Sequence, residues 1–171
     1  MKEEPVRRHT ITALVDNEPG VLARVIGLFS GRGYNIESLT VAEVDKTRNL
    51  SRINIVTTGT EAVIEQIKSL LAKLVPVHKV QDLTIEGPHV ERELALVKVT
   101  GDRERLIGAL RIADYMHARL VDSAPGSLVL EATGTSDELD AFIELVQPVE
   151  VSRAGVVAIG RGSIILEARA G

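Results

Sequence analysis

From Arg8 to Asp16 apolar Ile11, Ala13 and Val15 alternate with polar positions, a period of two that predicts a half-buried strand. The period then lengthens. Leu22, Val25, Ile26 and Phe29 recur at helical spacing and give one apolar face, which Gly31 to Gly33 bring to an end. Tyr34 to Val44 reads as a second strand and, beyond the charged turn Asp45-Lys46-Thr47-Arg48-Asn49, Leu50 to Thr58 as a third. Thr58-Gly59-Thr60 opens a helix whose face is Val63, Ile64, Ile67, Leu70, Leu71 and Leu74, and Val77 to Ile85 closes the unit as a fourth strand. The predicted order is β-α-β-β-α-β.

The order repeats in the second half. Glu93 to Thr100 is a strand and Arg103 to Ala113 a helix; Ala118 to Ser123 and Ser127 to Thr133 form a hairpin across Pro125-Gly126. Ser136 to Val146 is a helix and Val149 to Ile159 the last strand. Gly87-Pro88-His89 breaks the chain between the copies and predicts domains over 8–86 and 92–171. Short connections and right-handed crossovers predict an α+β fold of two tandem ferredoxin-like βαββαβ sandwiches, each an antiparallel four-stranded sheet with both helices on one face. In that topology the second strand is a sheet edge, and an exposed edge invites pairing. Tyr34 to Val44 is therefore expected to pair with its counterpart in a second copy across a two-fold axis, giving a homodimer.

Composition narrows the function. With 171 residues, 44% of them hydrophobic and 26% charged, the chain suits one medium domain or two small ones. Its net charge of -4 argues against nucleic acid as a partner. Cysteine is absent, which excludes disulfides and thiolate metal sites. No apolar run approaches the roughly 20 residues of a membrane span, and Met1-Lys2-Glu3-Glu4-Pro5 lacks the apolar stretch of a signal peptide. A soluble, cytoplasmic protein is expected.

The stretch that points to chemistry is Asp16-Asn17-Glu18-Pro19-Gly20-Val21-Leu22, which joins the first strand to the first helix. Pro19 is expected at the first helical position, where its missing N–H would have no partner in any case. The N–H groups of Gly20, Val21 and Leu22 then lie at the positive end of the helix dipole, where a carboxylate can dock. Asp16 or Asn17 as a plain helix cap is the competing reading. The text after the helix favours a ligand, because Gly33-Tyr34-Asn35-Ile36 starts a strand with another amide side chain. In the expected dimer Asn17 and Gly20 of one protomer come near Asn35 and Ile36 of its partner. A free amino acid fits this arrangement, with its carboxylate on N–H groups, its ammonium on amide oxygens, and a branched side chain against Leu22 and Ile36. The dipole contributes about 0.3–1 kcal/mol, and each charged hydrogen bond roughly 1.5–3 kcal/mol before the costs of association.

Other features are weaker. His9, His78, His89 and His117 show no ligand spacing and read as surface or strand-end residues. The run Asp45 to Asn49 reads as a solvated turn, and Arg7-Arg8 as too short a basic patch to matter. Gly155 to Gly162 lacks phosphate-loop spacing and its lysine, so it reads as a strand with a glycine-rich exit. Glu61 and Glu65 face away from Ile64 and Ile67, toward solvent. No catalytic residue and no metal site is expected on this chain.

The first half resembles an ACT domain, and the whole chain is similar to the small regulatory subunits of acetohydroxyacid synthase, also called acetolactate synthase. The resemblance rests on Asp16 to Val25, on Gly27-Leu28-Phe29-Ser30, on Arg32 to Val41 and on His89 to Leu94. More loosely it rests on Gly134-Thr135-Ser136, Leu139 to Phe142 and Arg153 to Val157. It implies a non-catalytic chain that activates a large subunit carrying thiamine diphosphate, Mg²⁺ and FAD, and that confers feedback inhibition by valine, or by leucine or isoleucine. By the same resemblance the effector positions are Asn17, Gly20, Val21 and Leu22 from one chain with Asn35 and Ile36 from the other, 8–86 is the ACT domain, and 92–171 is the family's C-terminal domain.

Rival functions have fewer features behind them. An RNA-binding module of this topology stacks bases on aromatic side chains of the first and third strands, where this chain offers Ile11, Ala13, Val15, Ile53, Ile55 and Thr57. A stand-alone enzyme lacks a nucleophile with a neighbouring base. An amino-acid-sensing ACT regulator of a different enzyme or of transcription fits the pocket equally well, and only the resemblance separates it from the synthase subunit.

Overall fold

The computed structural model describes residues 4–163 and 165–170. They form two compact units. One runs to Val90 and resumes at Val156; the other is Glu91–Gly155.

The first unit contains β1 (Arg7–Asp16), α1 (Val21–Ser30), β2 (Ile36–Asp45), β3 (Leu50–Gly59), α2 (Glu61–Ala72) and β4 (Val77–Asp82). Its sheet has the order β2-β3-β1-β4, antiparallel at each pairing, which is the expected ferredoxin-like arrangement with β2 at an edge. The alternating residues of β1 and β3 supply one side of the core, namely Ile11, Ala13, Val15, Ile53 and Ile55. The helical faces supply the other, with Val21, Val25 and Phe29 from α1 and Ile64, Ile67 and Leu71 from α2. Both helices therefore cover one face of the sheet. The aliphatic side chains considered for base stacking all point into this core. The opposite face carries Thr10, Thr12, Leu14, Arg52 and Asn54 and no aromatic ring.

Local chemistry moves several element ends. Helix α1 begins at Val21 rather than at Pro19, because Gly20 takes φ 84° and ψ -6° and cannot belong to a right-handed helix. Those angles suit the second central residue of a type II turn, with Pro19 as the first. The turn is closed by the Val21 N–H donating to Glu18 O at 3.4 Å. Strand β2 starts two residues later than expected, since the Tyr34 N–H closes the end of α1 on Phe29 O (3.0 Å) and its ring meets Phe29 edge-on. Strand β4 stops at Asp82, whose carboxylate accepts the Thr84 N–H (2.9 Å) and turns the chain.

The second unit holds most of β5 (His89–Thr100), α3 (Arg103–Tyr115), β6 (Arg119–Ala124), β7 (Ser127–Gly134), α4 (Ser136–Val146) and β8 (Glu150–Arg153), with strand order β6-β7-β5-β8. Its core sets Ala95, Val97, Val99, Leu130 and Ala132 of the sheet against Ala109 and Ala113 of α3 and Leu139, Phe142 and Val146 of α4. Thr135 and Glu138 cap α4 reciprocally, the Thr135 N–H donating to the Glu138 carboxylate (3.0 Å) and the Glu138 N–H to the Thr135 hydroxyl (3.3 Å).

Two expectations change here. The expected linker residue His89 already opens β5, so the division between the units falls inside a strand, after Val90. The expected strand Val149 to Ile159 breaks at Gly155 (φ 87°) into β8 and β9 (Val157–Gly160). Strand β9 pairs with β5, so the sheet containing β5 has five strands rather than four. The stretch from Val156 onward groups with the first unit, because the Val156 N–H donates to Ser38 Oγ (2.8 Å) and Arg52 Nη2 to Ala158 O (2.8 Å). Burial holds the Arg52 guanidinium below its ordinary pKa.

Candidate functional site

The turn between β1 and α1 is held from both sides. The Asp16 N–H donates to Pro76 O (2.8 Å) and the Asn17 N–H to Asn49 O (2.8 Å), while Asn49 Nδ2 returns a bond to Asn17 O (3.2 Å). The Asn17 side chain is exposed and donates through Nδ2 to Glu43 Oε1 (3.3 Å), which leaves its amide oxygen without a donor among the described residues.

The start of α1 is electrostatically bare. Thr60, Asp102 and Thr135 cap the other three helices with side-chain oxygens, and each of those helices has an acidic residue in its first turn. Helix α1 has neither. Among the described residues the N–H groups of Gly20, Leu22 and Ala23 meet no protein acceptor, and that of Val21 has only the long bond to Glu18 O. A Cβ added to Gly20 would meet nothing within 4 Å, so the space in front of these donors is open. Unpaired N–H groups at a helix start favour an anion.

Of the residues singled out from the sequence, the structure gathers four at this turn. Asn17 and Gly20 are exposed; Leu22 is 38% exposed; the Val21 side chain is buried in the core, so only its backbone faces the turn. Asn35 and Ile36 lie elsewhere. Ile36 pairs with Thr57 at the start of β2, whereas Asp45, at the end of β2, pairs with Leu50, the partner of Asp16. A ten-residue strand separates the two groups by about 30 Å within one chain. Asn35 is exposed and is fixed by the Thr57 hydroxyl donating to its carbonyl (2.6 Å).

Asn49 and Glu43 escape a reading of the sequence. The Asp45 to Asn49 turn is not merely solvated: Asn49 sits in left-handed backbone (φ 54°) and aims its amide at the Asn17 loop. Asparagine closing a hairpin turn is the available signal, because it tolerates that conformation. Replacing Asn49 by Ala is expected to cost about 1–2 kcal/mol, from the lost hydrogen bond and the left-handed backbone together. Chemical denaturation of the full chain measures it, and Asn49→Gly, which relieves only the backbone, recovers part of the loss.

Of the four histidines, His9 departs from the expected surface or strand-end placement, whereas His78, at the start of β4, meets it. His9 is buried in β1 with its Nδ1 2.7 Å from the Asp82 carboxylate, and His78 Nε2 lies 2.6 Å from Asp16 Oδ1. Each is an internal pair joining β1 to β4. Among the described residues no group of three or more His, Cys, Asp or Glu is placed to hold a metal ion, and no helix is long and apolar enough to cross a membrane. Glu65 accepts from Lys68 (3.1 Å) at the surface of α2.

A four-stranded ferredoxin-like sheet with an uncapped helix start at the end of its first strand is the architecture of an ACT domain, and residues 11–79 match the model of the AHAS small subunit-like ACT domain. Residues 92–162 match the model described as the small subunit of acetolactate synthase. The acetolactate synthase isozyme 3 small subunit of Salmonella typhimurium is 45% identical over 163 residues, which cover 93% of this chain and 99% of that one. The acetolactate synthase small subunit of Aquifex aeolicus is 43% identical over 171 residues, covering 98% and 88%. The crystal structure of the acetolactate synthase small subunit from Thermotoga maritima superposes with a TM-score of 0.81 at 36% identity, over 92% of this chain and 99% of that one. The chain belongs to the acetolactate synthase small subunit family.

Proposed function

We propose that this chain is the regulatory subunit of an acetolactate synthase, raising the activity of a catalytic large subunit and making it sensitive to valine or another branched-chain amino acid. In this reading the chain performs no catalysis and acts in the cytoplasm. Thiamine diphosphate, Mg²⁺ and FAD belong to the large subunit.

The observation that carries the reading is the uncapped start of α1 at one end of the exposed edge strand β2, with Asn35 and Ile36 at the other end. Antiparallel pairing of β2 with β2 of a second copy superimposes opposite ends. It sets Asn17, Gly20, Val21 and Leu22 of one protomer against Asn35 and Ile36 of its partner, twice per dimer. Backbone N–H groups then take the effector carboxylate, the free Asn17 amide oxygen accepts from its ammonium, and Leu22 with the partner's Ile36 encloses the aliphatic side chain. Millimolar to micromolar affinity, about -4 to -8 kcal/mol, is in keeping with this small set of contacts.

Mixed dimers provide the test. Gly20→Asp and Asn35→Ala, each alone, damage both sites of a homodimer. A dimer containing one of each has one doubly altered site and one intact site. Heterodimer purified from the two co-expressed variants is expected to bind valine at one of its two sites, about half of the wild-type amount by calorimetry, with wild-type affinity. A site contained within one chain gives no such recovery. Pairing through β2 is checked separately: Val41→Pro, which puts an imide on the edge, is expected to shift the full chain from dimer to monomer in light scattering at micromolar concentration.

A further inference from the structure

We propose that the first unit contains a second small-molecule site, on the far side of the β2–β3 hairpin from the Asn17 loop, and that it takes an aliphatic α-amino acid in its zwitterionic form. The hairpin end and the segment 165–168 border an open cleft of about 340 Å³, within the range of small-ligand pockets. Its floor is aliphatic: Leu14 and Leu50 are buried there at 6% and 4% exposure, and Val44 and Ile165 form the sides.

Three charged residues, Asp45, Arg48 and Glu167, line the same space. Arg48 has its backbone N–H on Asp45 Oδ1 (3.0 Å), but among the described residues its guanidinium has no partner, and neither has the carboxylate of Glu167. Asp45 keeps its second oxygen. A cation and two carboxylates that line one cleft without pairing with one another select a ligand carrying both charges. Arg48 binds the ligand carboxylate, Asp45 and Glu167 the ammonium, and Leu14 with Leu50 the aliphatic side chain. Polyanions such as phosphate esters are repelled by the two carboxylates, and a diamine by Arg48.

The outer wall is positioned rather than loose. The Arg169 N–H donates to His78 Nδ1 (3.2 Å) and Arg169 Nε to His78 O (3.2 Å), and His78 Nε2 in turn meets Asp16 Oδ1, the residue before Asn17. A ligand in the cleft therefore bears on the hairpin end and on a segment tied to Asp16, both of which hold the Asn17 loop.

Methyl-labelled full-length protein titrated with L-leucine into the tens of millimolar tests the site. Saturable shifts of the Leu14, Leu50 and Ile165 methyls are expected. Arg48→Ala and Glu167→Gln, both at exposed positions, each weaken that binding about tenfold. Leucinamide and 4-methylpentanoate, each lacking one charge, also bind more weakly. Static Leu14 and Leu50 methyls, or undiminished affinity in Arg48→Ala, overturn the proposal. The Leu22 and Ile36 methyls report the effector site independently, so the failure of either site is read without reference to the other.

Discussion

On the proposed function, replacing Gly20 by Asp is expected to abolish valine inhibition in the complex reconstituted with the large subunit, while stimulation of that subunit persists. The backbone tolerates the change. Gly20 is left-handed (φ 84°), where Asp and Asn are the least strained of the L residues, and a Cβ at this position touches nothing within 4 Å. The added carboxylate, however, enters the space where the N–H groups of Gly20, Leu22 and Ala23 await an anion. Two like charges 4 Å apart repel by about 4 kcal/mol at the effective dielectric of a protein surface. Against a total binding energy of about -4 to -8 kcal/mol, that removes most or all of the affinity. Gly20→Asn separates charge from bulk: it keeps the backbone and the volume and is expected to retain weakened inhibition. Inhibition curves and valine calorimetry on both variants read the difference, and unaltered sensitivity in Gly20→Asp would remove the pocket from this turn.

On the same proposal, the contacts across the dimer would define the regulation. An effector bridging two protomers acts through its unequal affinity for two arrangements of the dimer, and a coupling of about 1–3 kcal/mol suffices for feedback inhibition. Reciprocity links the two affinities: where valine changes the affinity of the small subunit for the large one by some factor, the large subunit alters valine affinity by that factor. Titrating valine into the small subunit with and without its partner measures that factor directly.

Periodicity carried most of the fold. Ile11, Ala13 and Val15, Val25 and Phe29, and Ile64, Ile67 and Leu71 were legible as core because alternating and helical spacing each give one buried face, and all are buried. Turn residues were legible in kind but not in place. Pro19 satisfies both the rule for the first residue of a helix and the rule for a Pro-Gly turn; the turn prevails because Gly20 takes positive φ, and the helix starts two residues later. Strand breakage at Gly155 was hidden for a related reason, since glycine in a strand marks a bend without saying which sheet the chain then joins. The candidate site was half legible. Asn17 and Gly20 announce themselves through local chemistry, whereas Asn49 and Glu43 reach Asn17 across 32 and 26 residues of sequence and leave no periodic trace.

Removing the Arg153 side chain is expected to destabilise the second unit by about 2–4 kcal/mol at neutral pH, and by progressively less in acid. Glu93 is buried at 6% exposure and receives Arg153 Nε (3.0 Å) and Nη2 (2.8 Å) on its two oxygens; the Gly155 N–H and the Ser136 hydroxyl add longer bonds, at 3.2 and 3.4 Å. Truncating one partner of a buried pair leaves the other charge stranded, and the partial exposure of Arg153 reduces the usual penalty. The Arg153 hydrogen bonds, outweighing burial, hold the Glu93 carboxyl below the usual carboxylate range. A carboxyl whose pKa is lower in the folded than in the unfolded state contributes stability that is fully present above the unfolded value, about 4.3, and is lost as pH falls through the folded one. In Arg153→Ala the main cause of the lowering is gone, so protonating Glu93 relieves the stranded charge instead of breaking a pair. The stability gap between wild type and variant should therefore narrow below about pH 4. Hydrogen exchange at Val97 and Leu130, in the core of the second unit, follows this unit without interference from the first. Parallel pH profiles for the two proteins would show that the pair contributes packing but no linked charge.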